Sequence, residues 1–253
     1  MKPADRQLLI IDIIHQEGKV DVKELVLKFG ISAETIRRDL SSLSVSGRLQ
    51  KTHGGAVLPG TVGEGPYQQR MRESVAAKRQ IAKIACELIV PGDTLFIDTG
   101  STTLTFAEEL SSIDNLTVIT NSADIAKIIG SNFSCQIFLV GGQYDADNRE
   151  TMGPIAISQI QQFRARHVVL TIGGIHAEAG ITDFNVNESH IARAMIEQSE
   201  DIIVLADSTK INQIAPFEVA PLKGLEYLIS NIEIPGPLET ELFKANVSIL
   251  TAS

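Results

Sequence analysis

Apolar residues recur at helical spacing from the start of the chain. Leu9, Ile10, Ile13 and Ile14 mark one face of a helix from about residue 4 to 17, and Gly18 ends it. Asp21 is placed to cap a second helix, with Glu24 at its third position completing a capping box. Val22, Leu25, Val26 and Phe29 form the apolar face of this helix, which breaks at Gly30. Ser32 then caps a third. At about 100° per residue, Ile36, Leu40 and Leu43 fall in one narrow arc, with Arg38 and Ser41 opposite and Thr35 and Arg37 on the flanks. Short helices joined by a glycine turn predict a helix-turn-helix. Residues 47–57 alternate around Leu49 and reach Gly54-Gly55, a β-hairpin pattern carrying Arg48, Lys51 and His53.

Residues 58–66 hold three glycines and two prolines, which disfavour helix and strand and mark a linker. Beyond it, Ile81, Ile84, Ala85, Leu88 and Ile89 predict a helix over 78–90, stopped by Pro91-Gly92. Strand-like and helical segments then alternate. The strands are expected at 94–98, 116–120, 136–140, 167–172, 201–207 and 227–231. Helices are expected at 104–111, 123–129, 154–163 and 188–199. Such alternation with apolar strands predicts a mostly parallel sheet covered on both faces. The expected organisation is a head over 1–57, a linker over 58–74 and an α/β body over 75–253.

Composition narrows the function. The chain has 253 residues, of which 43% are hydrophobic and 21% charged, which excludes disorder as the main state. No apolar run reaches the roughly 18 residues of a membrane span, and the first residues lack the apolar stretch of a secretion signal. Cys86 and Cys135 show no metal or disulfide spacing and read as reduced core thiols of a cytoplasmic protein. The net charge of −9 argues at first against nucleic acid. Yet residues 1–60 hold nine basic and seven acidic side chains, so the deficit lies wholly in the body.

The third helix presents hydroxyls and two adjacent guanidiniums, which suit a DNA major groove. Arg can pair bidentately with guanine or clamp a phosphate, and Thr can meet a thymine methyl or a phosphate. The hairpin would rest on the neighbouring backbone as a wing. The competing reading is a small helical interaction module with solvated charges.

In the body, ligands of a parallel sheet gather at the strands' carboxyl ends. Those ends read 98–103 (Asp-Thr-Gly-Ser-Thr-Thr), 120–122, Gly141-Gly142, Gly173-Gly174 and 207–210 (Asp-Ser-Thr-Lys). In the first loop, Gly100 allows close backbone approach, hydroxyls can donate to an anion, and the next helix aims free N–H groups there. Without Gly-Lys-Ser/Thr it is not a Walker loop, and a plain Ser/Thr-capped turn is the alternative. Lys210 is either a second anion donor or a solvated lysine. No nucleophile-elbow, His-x-x-x-His or paired-cysteine motif occurs, so no metal or cofactor is expected.

Thr35-Ile-Arg-Arg-Asp-Leu40, with Leu43, Gly47 and His53-Gly-Gly-Ala56, resembles the winged helix-turn-helix of the DeoR family of bacterial repressors. Residues 92–103, 117–122, 140–142, 151–154, 173–175 and 206–210 resemble the family's effector domain, which is similar to ribose-5-phosphate isomerase. The resemblance implies a winged helix-turn-helix followed by a mostly parallel, isomerase-like α/β domain. Ser32, Thr35, Arg37, Arg38, Arg48, Lys51 and His53 would contact operator double-stranded DNA. Thr99, Gly100, Ser101, Thr102 and Thr103 would hold the phosphate of a phosphorylated sugar or polyol. Asp98, Asn121, Gly174, Lys210 and Glu188 would surround its carbon chain.

A homo-oligomer, dimer or tetramer, is expected because one head covers a half-site. The alternatives are an isomerase-like enzyme and a ligand-responsive activator. Counting back from the 207–210 turn, which is similar to one in the isomerases, puts their base at Ala192 and their lysine loop at 183–186. Neither segment suits that chemistry, and Glu188 is the one available substitute.

Overall fold

The computed structural model describes residues 3–17, 19–45, 49–52, 54–57 and 67–252, and the chain divides into units at 1–63 and 64–253. In the first unit α1 (Pro3–Glu17) is followed by β1 (Lys19–Asp21), α2 (Val22–Phe29), α3 (Ala33–Val45), β2 (Gln50–Thr52) and β3 (Gly55–Val57). The helices start and stop for local reasons. Asp21 caps α2 by accepting the Lys23 N–H at 2.6 Å. Gly30 ends it at φ +64°, donating its N–H to the Val26 carbonyl. The Ser32 Oγ accepts the Thr35 N–H at 3.2 Å and so caps α3.

Ile10, Ile14, Leu25, Ile36, Leu40 and Leu43 fill the small core, as the periodicity predicts. The expected hairpin is β2 against β3, with Leu49 buried at its base. The three-residue β1 escaped the pattern; it pairs antiparallel with β3 and completes the sheet order β1-β3-β2. Gly55 is the condition for that pairing. A Cβ there would stand 1.9 Å from the Val20 carbonyl oxygen.

The second unit begins with α4 (Tyr67–Arg70), a turn of helix in what composition groups with the linker, and Tyr67 is buried there. Then come α5 (Val75–Cys86), β4 (Thr94–Ile97), α6 (Ser101–Leu110), β5 (Thr117–Thr120), α7 (Ala123–Ile129) and β6 (Gln136–Leu139). Next are β7 (Gln143–Asp145), β8 (Glu150–Met152), α8 (Pro154–Ile160), β9 (Ala165–Thr171), β10 (Gly174–His176), β11 (Gly180–Asp183) and α9 (Val186–Ile196). The unit ends with β12 (Ser199–Ala206), β13 (Phe217–Ala220), β14 (Tyr227–Ser230), α10 (Pro237–Lys244) and β15 (Ser248–Thr251).

Seven strands form one sheet in the order β15-β14-β12-β9-β4-β5-β6, and every pairing in it is parallel. Six are the strands expected from sequence; β15 is the addition. Alternate residues feed two cores. Phe96, Val168, Leu170 and Val204 pack with Ile191 and Met195 on one face. Leu95, Ile97, Val169, Ile203 and Leu205 pack with Ile81 and Phe106 on the other. Burial on both faces is why these strands read as continuous apolar runs.

From β4 the chain runs outward through β5 and β6, then returns to β9 on β4's other side. The strand order therefore reverses between β4 and β9, and parallel sheets take ligands at the carboxyl ends flanking such a switch point. Two antiparallel additions frame it, the hairpin β7–β8 and the sheet β10-β11-β13. An isolated bridge from Ser122 to Glu150 brings the hairpin to the carboxyl end of β5.

Candidate functional site

The exposed side of α3 carries Ser32, Arg37 and Arg38, with Thr35 half-buried beside them. The Ser32 and Thr35 hydroxyls lie 2.9 Å apart. Capping occupies one lone pair of Ser32, and its O–H remains able to donate. Lys51 on β2 donates to the Ser41 Oγ at 3.0 Å, and Ser41 in turn donates to the Arg37 carbonyl at 2.7 Å. The strand and the helix are thus tied together at Ser41, one turn beyond Arg37. Arg48 and His53 lie outside the described residues.

Sequence reasoning missed the group beneath this surface. Asp39, inside the Thr35–Leu40 hexamer, is 4% exposed and ion-paired to the Arg6 Nε of α1, itself 6% exposed. Gln7 adds a hydrogen bond of 3.3 Å to the other Asp39 oxygen.

In the second unit, the loop from Asp98 to α6 stands at the switch point. Gly100 has φ 166°, ordinary extended backbone, so its glycine is not required by conformation. It is required by space: a Cβ would lie 2.1 Å from the Thr171 Oγ1 at the end of β9. Ser122 caps α7 and Asn185 caps α9, while among the described residues no side chain caps α6, nor α5, α8 or α10. The first turn of α6 therefore retains N–H groups for an anion.

Ser101, Thr102 and Thr103 in that turn are all buried. The Thr103 hydroxyl donates to the Gly100 carbonyl at 3.1 Å. Thr99 is 4% exposed, and its hydroxyl has no hydrogen-bond partner among the described residues.

A chain of amides and carboxylates continues from this loop. The Thr99 N–H meets Asp98 Oδ1 at 2.8 Å and Asn121 Oδ1 at 3.2 Å. Asn121 Nδ2 donates to Glu150 at 3.0 Å. Asn148 Nδ2 reaches both Glu150, at 3.4 Å, and Glu188, at 3.1 Å. Asn185 Nδ2 donates to Glu188 at 2.9 Å while its N–H donates to Asp183 at 2.8 Å.

Burial, reinforced by mutual repulsion, raises the proton affinity of these acids. Asp98 is held well above the usual carboxylate range by burial and then by Glu150 and Asp183. Burial and the neighbouring Asp145 push Glu150 up to about 7 against the opposing Asn148 hydrogen bond. Glu188 is pushed up to about 9, by burial first and then by Glu150 and Asp183.

Cations lie close by. Arg70 donates to Asn148 Oδ1 at 3.4 Å, and its field opposes the upward shifts of Glu150 and Glu188. Lys78 is 5% exposed, with its Nζ bonded to the Arg70 carbonyl. Burial lowers its proton affinity, Asp207 opposes that, and Lys210 adds to it. Gly174 belongs to the same end of the sheet. A Cβ on it would meet the Gln213 carbonyl at 2.5 Å, and the Ile175 N–H bonds the Lys210 carbonyl at 2.9 Å.

Asp98, Thr99, Asn121 and Glu188 are thus brought into one bonded network, and Lys210 is brought near Lys78. Arg70, Lys78, Glu150 and Asp183 were not expected there. For Lys78 a signal existed. It shares helical phase with buried Ile81, Ala82 and Ala85, an unusual place for a lysine.

A winged helix-turn-helix joined to a parallel α/β unit with an anion-ready switch point defines a ligand-responsive transcription regulator. Residues 6–62 match the DeoR-like helix-turn-helix domain, and residues 73–231 match the DeoR C terminal sensor domain. The chain belongs to the DeoR family and is a transcriptional repressor of that type. It is 31% identical to the glycerol-3-phosphate regulon repressor of Escherichia coli (strain K12), over 93% of each chain. It is 36% identical to the transcriptional repressor AccR of Agrobacterium fabrum (strain C58), over 90% of this chain and 89% of that one. A solved D-ribose-5-phosphate isomerase in complex with phospho-erythronic acid aligns over 53% of each chain, with 15% identity and a TM-score of 0.40. Among the described residues no helix is long and apolar enough to cross a membrane.

Proposed function

We propose that this cytoplasmic repressor holds a carbohydrate or polyol catabolic operon silent and leaves its operator when a phosphorylated sugar or polyol binds at the switch point. Residues 1–57 read the DNA through Ser32, Thr35, Arg37 and Arg38, with Arg48, Lys51 and His53 on the wing, as part of a dimer or tetramer. Residues 58–74 link this head to the sensor, residues 75–253. Thr99–Thr103 take the phosphate, and Asp98, Asn121, Gly174, Glu188 and Lys210 line the carbon chain. The observation that carries the reading is the start of α6 at the switch point, where no side chain caps the helix, beside the buried Thr99 hydroxyl that has no hydrogen-bond partner among the described residues.

For release, the ligand must favour the DNA-free state. A tenfold loss of operator affinity needs about 1.4 kcal/mol of coupling. In Arg38→Ala, operator affinity measured by fluorescence anisotropy is expected to fall by about 1–3 kcal/mol, with sensor binding intact. Unchanged DNA affinity would remove Arg38 from the interface. In Lys210→Ala, operator binding is expected to survive and release by the effector to vanish; normal release would displace the proposed pocket.

The reading is of a non-enzyme. A carboxyl pushed up to about 9 keeps its proton near neutral pH, which leaves Glu188 a poor general base. Ala192, at the position counted for the isomerase base, carries no acid. Purified protein is expected not to interconvert ribose and ribulose phosphates.

A further inference from the structure

We propose that α4 (Tyr67–Arg70) is the element that carries effector occupancy from the sensor to the DNA-binding head, with Tyr67, Arg70 and Lys78 as the residues that dock it. The inference rests on the effector site proposed above and adds how that site acts on the DNA. Composition groups residues 67–70 with the linker, yet they form a turn of helix fixed to the sensor. They follow directly on the glycine- and proline-rich residues 58–66. Whatever the sensor transmits along the chain leaves it through α4.

One turn of helix is too short to hold its own shape in water, so α4 is ordered by what it docks against. Three ties do this. Tyr67 is 3% exposed, and the Arg70 guanidinium lies over its ring, 5.6 Å from the centroid. Arg70 donates to Asn148 Oδ1 at 3.4 Å, and its carbonyl accepts from the buried Lys78 ammonium of α5. Asn148 also bridges Glu150 and Glu188; Glu150 in turn holds Asn121, whose Oδ1 meets the Thr99 N–H. A continuous set of hydrogen bonds thus runs from the end of α4 to the loop that starts α6. On its other side α4 meets a strained joint. Ser74, which begins α5, has φ 52°, and its side chain makes no capping bond. A short helix held by one buried ring and two hydrogen bonds beside such a joint belongs to the low-stability end of a fold, where docked and released arrangements lie close in free energy. An effector that engages the network of Asn121 and Asn148 shifts that balance, and binding at either end of the chain of contacts must then be felt at the other.

Hydrogen exchange of the full chain, free and on a duplex selected for specific binding, tests this without any effector. DNA binding at the head is expected to change exchange at residues 67–72 and 148–152 by roughly threefold or more. In Tyr67→Ala the change at 148–152 should vanish while DNA still protects α3. Tyr67→Phe, which keeps the buried ring, should behave as the unaltered protein. Exchange at 67–72 and 148–152 that DNA leaves unmoved would overturn the proposal, as would a change at 148–152 that survives Tyr67→Ala. Adding glycerol 3-phosphate or glucitol 6-phosphate separates this from the effector reading. Release of the unaltered protein but not of Tyr67→Ala supports both, and equal release of the two overturns transmission through α4. A DNA-linked change at α4 with no release by either compound overturns the effector reading alone.

Discussion

Asp39→Ala is expected to unfold the DNA-binding unit while the sensor unit stays folded. The substitution leaves the Arg6 guanidinium, 6% exposed, without the Asp39 carboxylate it is paired with. Breaking a buried pair from one side costs about 3–5 kcal/mol. That is comparable to the whole stability of a unit the size of residues 1–63. Denaturant unfolding of the full chain should therefore lose its head transition and keep the sensor transition. Operator binding should disappear and effector binding persist. A head transition moved by less than about 1 kcal/mol would mean that the pair contributes little.

The second large effect is expected from Gly100→Ala. The new Cβ would sit 2.1 Å from the Thr171 Oγ1 and 3.0 Å from the Thr171 Cβ and Cγ2. Thr171 ends a strand with neighbours on both sides, so the loop must yield. Overpacking of this kind costs about 1–3 kcal/mol, here charged to the sensor transition. It also moves the start of α6, so effector response should fall further than stability does. Thr171→Ala removes the two γ atoms and should restore part of both in the double variant. A single variant with unchanged stability and response would show that the close approach of loop and strand has no consequence.

A pH signature accompanies the buried acids. Groups whose folded proton affinity is raised favour the folded state below their unfolded values, near 4.5 for glutamate, and lose that advantage as pH rises. For Glu188 the loss runs from about 4.5 to about 9. The melting temperature of Glu188→Gln relative to the unaltered protein should therefore climb across that window. A flat difference would contradict the burial of this carboxyl.

These features differ in how far the sequence reveals them. The head was legible because its signals are local: Asp21, Gly30 and Ser32 act within a few residues, and one face of each helix fills a single core. The central strands were legible because both their faces are buried. β15 was not, since it lies at the sheet edge with Ser248 and Thr251 exposed. The short strands β1, β7, β8, β10, β11 and β13 depend on partners elsewhere in the chain. Helix α6 starts at Ser101, earlier than the apolar spacing predicts, because its first turn is polar.

The site divides the same way. The 98–103 loop is contiguous and could be read directly. Asp183 and Glu188 are joined locally through Asn185, but Asp98 and Glu150 meet them only through tertiary structure, of which the spacing along the chain holds no trace. Arg6 and Asp39, 33 positions apart, are a further case.

In the proposed mechanism a polyol or sugar phosphate bound at the switch point dissociates this repressor from DNA. Its most direct test is fluorescence anisotropy of the full chain on a duplex selected for specific binding, titrated with glycerol 3-phosphate and with glucitol 6-phosphate. Anisotropy should fall towards that of free DNA with at least one of them, and stay high in Lys210→Ala at the same concentrations. Anisotropy that holds at saturating concentrations of both, or that falls equally in Lys210→Ala, would contradict the account.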